Sequence, residues 1–149
     1  LTKTANILNI PTIVTEQYPQ GLGATLLQVK ETLSPETFTC EKTSFSAMLT
    51  PEFAQRIQEL KAQGKKQVIL CGIETHICVL QTAADLIKEG FEIYVVKDAC
   101  ASRNKSEYKT GLSLLKQYGA KVTCVEITLF ELLKTAKHPK FKEIQALIK

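Results

Sequence analysis

The sequence predicts a doubly wound α/β protein, in three α/β/α layers with a mainly parallel sheet. Short apolar runs of strand length alternate with segments whose apolar residues recur every three or four positions, as on one helix face. Gly64, Gly90 and Gly119 follow three of these helical segments, and each precedes a new strand-like run. Strands that alternate with helices pair in parallel through right-handed crossovers, and such folds place functional residues at the carboxyl ends of the strands.

The composition is that of one globular domain, and we expect a single domain over residues 1–149. No apolar run is long enough to span a membrane, and the net charge of +4 is scattered, so a membrane is not expected as a partner and nucleic acid is disfavoured. Five cysteines without a CxxC pair favour a reducing, intracellular and cytoplasmic location. Organellar targeting stays open, because the chain starts at Leu1.

The first half of the chain begins with a helical pattern over Leu1, Ala5 and Leu8, which has no capping residue before it. A buried strand is predicted over 12–15 and a short strand over 37–40, with a mixed segment over 17–36 that holds a short helix near 26–32. A further helix is expected to start at Pro51, with the Thr50 hydroxyl as its cap, and to end before Gly64.

The second half repeats the alternation. Strands are predicted over 67–73, 91–96 and 121–125, and helices over 77–88, 104–118 and 128–136. Asn104 and Glu107 have the spacing of a capping box at the start of the second of these helices. Phe141, Ile144 and Ile148 predict an amphipathic tail that docks on the body of the protein or on a neighbouring subunit.

The segment that indicates chemistry runs from Gly72 to Val79, where an apolar strand gives way to a helix. Cys78 is predicted in the first helical turn, where unpaired backbone N–H groups favour the reactive thiolate and can bind an oxyanion. A lone cysteine beside apolar residues is more often a packing residue. From these residues alone both interpretations stay open.

The residues around Cys78, together with four other segments of the chain, resemble a known family. The run Gly-Ile-Glu-Thr-His-Ile-Cys-Val-Leu-Gln-Thr-Ala over 72–83 resembles the G-x-x-T-x-x-C-V-x-x-T-A signature of the isochorismatase-like cysteine hydrolases, which have a Rossmann-like fold. The segments 41–46 and 97–103 resemble two further landmarks of that family, the first around its catalytic lysine. The segments 15–19 and 138–143 resemble the eukaryotic isochorismatase domain-containing branch.

The resemblance implies roles for individual residues. Cys78 would be the nucleophile, and Lys42 would keep its sulfur ionised. A cis peptide bond would join Ile73 to Glu74 and aim the N–H groups of Glu74 and Cys78 at the oxyanion. The third catalytic residue of the family, an aspartate that ends its first strand, would precede Leu1. The chain is therefore expected to be an N-terminally incomplete domain, with apolar neighbours of that central strand exposed.

Candidates for the substrate pocket are Gln17, Tyr18, Phe45, Thr75 and His76. Glu74 either lines the pocket and disfavours anionic substrates or points to solvent, and Thr75 is also expected to stabilise the turn. No metal is expected, because Glu16, Gln17 and Tyr18 stand where nicotinamidases carry an Asp-x-His cluster. No cofactor is expected either.

The resemblance predicts an enzyme, a cysteine hydrolase that acts on a small amide, imide or related carbonyl compound and forms a homo-oligomer. The alternative is a non-catalytic binding or scaffold protein that retains the fold. Nucleic-acid processing is a third hypothesis, which rests only on the isoelectric point near 8.8.

Overall fold

A computed structural model describes residues 1–148. Its elements are α1 (Thr2–Ile7), β1 (Ile13–Gln17), α2 (Pro19–Leu22), α3 (Leu27–Lys30), β2 (Phe38–Lys42), α4 (Pro51–Ala62), β3 (Gln67–Ile73), α5 (Leu80–Lys88), β4 (Glu92–Ala101), α6 (Lys105–Gln117), β5 (Lys121–Thr123), α7 (Val125–Leu133) and α8 (Phe141–Gln145). Shorter 3-10 turns lie at Ala47–Leu49 and Ala146–Ile148, and a π turn lies at Thr75–Val79. The chain divides into two compact units, residues 42–124 and residues 1–41 with 125–148.

The unit of residues 42–124 contains a three-stranded sheet in the order β3–β4–β5. Both strand pairs are parallel, which confirms the predicted mixed α/β class with parallel strands. Helices α4, α5 and α6 lie between these strands in the chain, and each buries apolar residues on one stripe. The buried side chains include Phe53, Ile57, Leu60, Ala83, Leu86, Ile93, Val95, Val96 and Leu115.

Strand β3 is at one edge of this sheet and leads directly to the candidate site. Its residues alternate between half-buried and exposed positions, and the exposed set is Gln67, Ile69, Cys71 and Ile73. Ile73, the last residue of the strand, is 70% exposed. One face of the strand therefore ends with an apolar side chain next to the turn that carries Cys78.

The second unit contains a two-stranded sheet of β1 and β2 and a small helical core. Leu129 and Leu133 of α7 pack with Ile144 of α8 in that core. Leu1, Ile7, Leu8, Val125 and Phe141 pack against it. The predicted amphipathic tail thus docks on this unit through Phe141 and Ile144.

The two predicted cap positions are confirmed, but the side-chain cap bonds expected there do not form. Thr50 and Asn104 do occupy the positions before α4 and α6, but neither side chain bonds a backbone N–H of its helix. The Thr50 hydroxyl instead contacts the Ser44 hydroxyl at 3.3 Å. The Asn104 side-chain amide instead donates to the Glu107 carboxylate at 3.1 Å.

Several element boundaries also differ from the predictions. Strand β4 continues five residues beyond the predicted end at Val96, and its last segment pairs with Gly72 and Ile73 after a register shift in β3. Helix α7 begins at Val125, three residues earlier than predicted. Within residues 1–148, no helix is both long and apolar enough to cross a membrane. The single-domain assignment of residues 1–149 stays a prediction.

Candidate active site

Cys78 lies in a π turn, Thr75–Val79, that continues into α5. The prediction of an α-helical first turn at Cys78 is therefore wrong in detail. The Glu74 carbonyl accepts hydrogen bonds from the amides of Ile77 and Val79, at 3.1 and 3.2 Å, and the second of these bonds spans five residues. The peptide bond between Ile73 and Glu74 is cis. Cys78 is half-buried and carries a free thiol.

Thr75 anchors this turn to the neighbouring strand. Its side chain is fully buried, and its hydroxyl donates to the carbonyl of Ala101, the last residue of β4, at 2.9 Å. This burial and this bond agree with the expected role of Thr75 in stabilising the turn, and its assignment to a substrate pocket stays a prediction. Helix α6 closes the opposite side, where Gly111 lies against the backbone of His76.

Lys42 reaches the sulfur of Cys78 across 36 positions of sequence. It ends β2, its residue exposure is 6%, and its Nζ lies 3.7 Å from Cys78 Sγ. The same ammonium donates to the carbonyls of Ser44 at 2.9 Å and Phe45 at 3.1 Å. A buried ammonium stabilises an adjacent thiolate, because the local dielectric is lower than that of water. The structure thus brings together the two residues predicted to carry the reaction, and their roles stay predictions.

A cluster of charged side chains stands beside the turn. His76 Nδ1 lies 3.0 Å from the hydroxyl of Ser102, and its Nε2 lies 3.6 Å from a carboxylate oxygen of Glu107. Glu74 approaches the same imidazole at 3.7 Å, and the Arg103 guanidinium lies 3.8 Å from Glu74 and 3.7 Å from Glu107. Glu74 is thus in an ion-pair cluster, which neither of the two sequence-based alternatives described.

Glu74, His76 and Glu107 form the group of described residues that can place three metal-ligand atoms within 4.8 Å of one another. The Arg103 guanidinium lies near both carboxylates, so a cation of the protein already pairs with this cluster. Ser102, Arg103 and Glu107 were not among the predicted site residues. Arg103 and Glu107 are four residues apart, a spacing typical of an ion pair, but that spacing does not relate either residue to His76.

The other pocket candidates are placed as follows. Phe45 is 53% exposed, and its carbonyl is bound by Lys42. Gln17 and Tyr18 belong to the other unit, where Gln17 ends β1 and Tyr18 has a left-handed backbone with φ of 40°. The Tyr18 ring covers Gly21 so closely that a Cβ there would stand 2.3 Å from the ring. The assignment of Gln17, Tyr18 and Phe45 to a substrate pocket stays a prediction.

Cys100 differs from Cys78 in its surroundings. It lies within β4, and burial raises the pKa of its thiol to about 11, although a backbone hydrogen bond from Gly72 acts in the opposite direction. A thiol with that pKa is protonated at neutral pH and reacts slowly. Cys100 is therefore a structural cysteine of the sheet.

Comparisons with known proteins point to one family. The model of the isochorismatase domain matches residues 1–127. Isochorismatase domain-containing protein 2 of Xenopus laevis is 44% identical over 146 residues, which cover 98% of this chain and 68% of that protein.

Solved structures agree with this assignment. A structure described as the MAR1 ribonuclease of Caenorhabditis elegans is 44% identical, with a TM-score of 0.90 over 99% of this chain and 73% of that one. YcaC of Pseudomonas aeruginosa, solved with hexane-2,5-diol and covalent acrylamide, is 25% identical, with a TM-score of 0.84 over 96% of this chain and 71% of its own. YcaC of Escherichia coli, described as an octameric hydrolase of unknown specificity, is also 25% identical, with a TM-score of 0.82 over 99% of this chain and 76% of its own.

Proposed function

The chain belongs to the isochorismatase family, a family of hydrolases with a Rossmann-like fold, and we propose that it is a cysteine hydrolase acting on a small amide, imide or related carbonyl compound. The observation that carries the proposal is the 3.7 Å separation of Lys42 Nζ and Cys78 Sγ. A partly accessible sulfur beside a buried ammonium is the arrangement of an activated nucleophile. A packing cysteine has no need of such a partner.

The reaction follows from these groups. The Cys78 thiolate attacks the carbonyl carbon, and the carbonyl oxygen becomes an oxyanion, which the backbone N–H groups of Glu74 and Cys78 are proposed to bind. The tetrahedral intermediate expels the nitrogen, which takes up the proton that the thiol lost on ionisation and leaves as ammonia or an amine, and a thioester remains on the sulfur. Water then attacks the thioester, releases the carboxylic acid and restores the thiol. Lys42 holds the thiolate form before each turnover.

The mechanism also calls for a general base, which the resemblance predicts to be an aspartate before Leu1. The two aspartates of this chain are Asp85 in α5 and Asp98 in β4. Neither is proposed as the base, because Asp85 is already bound by Ser46 and Asp98 does not correspond to a catalytic residue of the family.

Covalent trapping and turnover test the proposal together. The protein is incubated with acrylamide, and the modified cysteine is located by peptide mass spectrometry. Acrylamide is chosen because the Pseudomonas relative was solved with it bound covalently. A panel of small amides and imides is then screened for release of ammonia or amine. We expect the adduct on Cys78 and expect Cys78→Ser to lose turnover, while Cys100→Ser keeps it. Turnover that survives Cys78→Ser would refute the cysteine mechanism.

Ribonuclease activity is a second candidate, and the description of the Caenorhabditis relative favours it. The net charge of +4 is compatible with RNA binding but does not require it. Incubation of labelled RNA with the wild type and with Cys78→Ser tests this candidate. Cleavage that both proteins support equally would place the activity outside the cysteine site.

Self-association is proposed from the octameric Escherichia relative and is measured by light scattering after size-exclusion chromatography. A monomer at micromolar concentration would contradict it. A cytoplasmic location also remains a proposal and is tested by expressing the tagged protein and imaging it.

A further inference from the structure

Two hydrogen bonds fasten the segment after Lys42 to the helix after Cys78. The Ser46 hydroxyl donates to the Asp85 carboxylate at 2.7 Å, and the Ala47 amide donates to the Thr82 hydroxyl at 3.0 Å. Thr82 and Asp85 are three residues apart on α5, so they share one helix face. The Ala47–Thr82 bond is buried, with Thr82 5% exposed, so water competes little for it. Ser46 is 1% exposed, whereas the Asp85 carboxylate is partly exposed and also pairs with Lys88.

The segment that these two bonds attach to α5 also provides the acceptors for the Lys42 ammonium. Lys42 Nζ is bound by the carbonyls of Ser44 and Phe45, which directly precede Ser46. A lysine side chain loses rotamer entropy when it is fixed, so its position depends on acceptors that are themselves rigid. The bonds from Ser46 and Ala47 provide that rigidity.

The segment is also braced internally. The Ser44 hydroxyl donates to the Ser46 carbonyl at 2.9 Å and contacts the Thr50 hydroxyl at 3.3 Å. Thr50 directly precedes α4, so the segment is held at both ends. This bracing explains why the Thr50 hydroxyl does not cap its own helix.

Helix α5, to which this segment is bonded, is continuous with the turn that contains Cys78. Helix α5 begins at Leu80, immediately after the π turn that contains Cys78. Thr82 and Asp85 therefore belong to the same continuous helical segment as the nucleophile. A bond from Ser46 to Asp85 consequently fixes the distance between the ammonium and the sulfur.

We propose that Ser46, Thr82 and Asp85 are positioning residues that hold the Lys42 ammonium against the Cys78 sulfur. This inference rests on the proposed function. It proposes that hydrogen bonds outside the Lys42–Cys78 pair determine how closely the ammonium approaches the sulfur, and thus how strongly the thiolate is stabilised. None of the three side chains needs to touch the substrate.

The test is a double-mutant cycle on the rate at which Cys78 is alkylated by iodoacetamide at pH 7. Ser46→Ala, Asp85→Ala and Thr82→Val each remove one end of a bond, and each is expected to slow alkylation about five- to tenfold. Thr82→Ser keeps the hydroxyl and is expected to restore the rate. Glu52→Gln serves as the control, because it removes one negative charge, as Asp85→Ala does, from the exposed first turn of α4. No change in the alkylation rate is expected for it.

The Lys42→Met background separates positioning from general destabilisation. If the three residues act through Lys42, their substitutions have no further effect in that background. Equal slowing with and without Lys42 would overturn the inference. Circular dichroism and thermal melting identify any variant that fails to fold. If one does, the alkylation rates of Thr82→Ser and Thr82→Val are compared instead.

Failure of the inference is distinguishable from failure of the proposed function. If Lys42→Met slows alkylation but Ser46→Ala and Asp85→Ala do not, the positioning role is refuted and the nucleophile remains supported. If Lys42→Met has no effect, the activated cysteine itself is refuted.

Discussion

Gly111 of α6 lies so close to His76 that a Cβ at position 111 would stand 2.9 Å from His76 Cα and 3.0 Å from its backbone nitrogen. Backbone atoms of a turn held by Thr75 and β4 cannot move aside as the end of a flexible side chain can. The glycine inside α6, unfavourable for a helix by about 1 kcal/mol, is thus explained by the close approach of the cysteine turn.

Gly111→Ala is expected to destabilise the protein by about 1–3 kcal/mol, because overpacking against backbone exceeds the gain in helix propensity. Cys78 alkylation should slow at the same time, because the displaced turn carries the sulfur. Ser113→Ala, at an exposed position of the same helix, is the matched control and should not destabilise the fold. Urea denaturation measures both variants, and an unchanged midpoint for Gly111→Ala would contradict the close contact.

The Ser46–Asp85 bond predicts a pH dependence of stability. The Ser46 hydroxyl, followed by Lys88, lowers the pKa of Asp85 below its ordinary value of 3.8. A carboxylate whose pKa is lower in the folded state stabilises the fold above its unfolded value, and this contribution is lost as the pH falls through the folded value. The free energies of unfolding of the wild type and Asp85→Asn should therefore differ at pH 7 and converge below pH 3.8. A difference that stays constant over that range would show that the charge of Asp85 is irrelevant.

Glu16 is predicted to order the segment that follows β1. Its carboxylate accepts the backbone N–H of Thr25 at 2.7 Å, and this bond is the main cause of the lowered pKa of Glu16. Glu16→Gln should speed hydrogen exchange of the Thr25 amide about tenfold, because a neutral acceptor binds the N–H less strongly. Exchange is followed by NMR, with Glu31→Gln as a control at an exposed acid of the same segment. Equal exchange in Glu16→Gln and wild type would refute the ordering role.

The cysteines should differ sharply in reactivity. With a pKa of about 11, only about one Cys100 thiol in a thousand is ionised at pH 8. Iodoacetamide at that pH should modify Cys78 well before Cys100, as read by peptide mass spectrometry. Unfolding in urea exposes Cys100, so iodoacetamide should then modify it as fast as an ordinary cysteine. Rapid modification of Cys100 in the folded protein would contradict its burial in β4.

The alternation of strands and helices was predictable, because periodicity and glycine stops are local signals. Gly64, Gly90 and Gly119 all have positive φ at the ends predicted for three helices. The meeting of Lys42 and Cys78 was predictable only through the family resemblance, since no local pattern relates residues 36 positions apart. Without the family resemblance, nothing in the sequence distinguishes Lys42 from a surface lysine.

Other features depend on tertiary contacts that sequence patterns do not encode. The extension of β4 to Ala101 depends on pairing with β3 that begins again after a register shift between Leu70 and Gly72, and the π turn at Cys78 has no signal in the sequence pattern. Thr50 and Asn104 stand at the cap positions, but their side chains contact Ser44 and Glu107 and make no cap bond. The cluster around His76 joins a turn to a helix 30 residues later, so its members could not be identified by spacing.

The rate of Cys78 alkylation in Lys42→Met, compared with the wild type and Lys42→Arg at pH 7, tests the central claim most directly. Methionine is a buried side chain of similar length but lacks the charge that we propose stabilises the thiolate. We expect alkylation to slow at least about tenfold in Lys42→Met and to recover partly in Lys42→Arg, with the fold unchanged by circular dichroism. Equal rates in wild type and Lys42→Met would contradict an activated cysteine at this site.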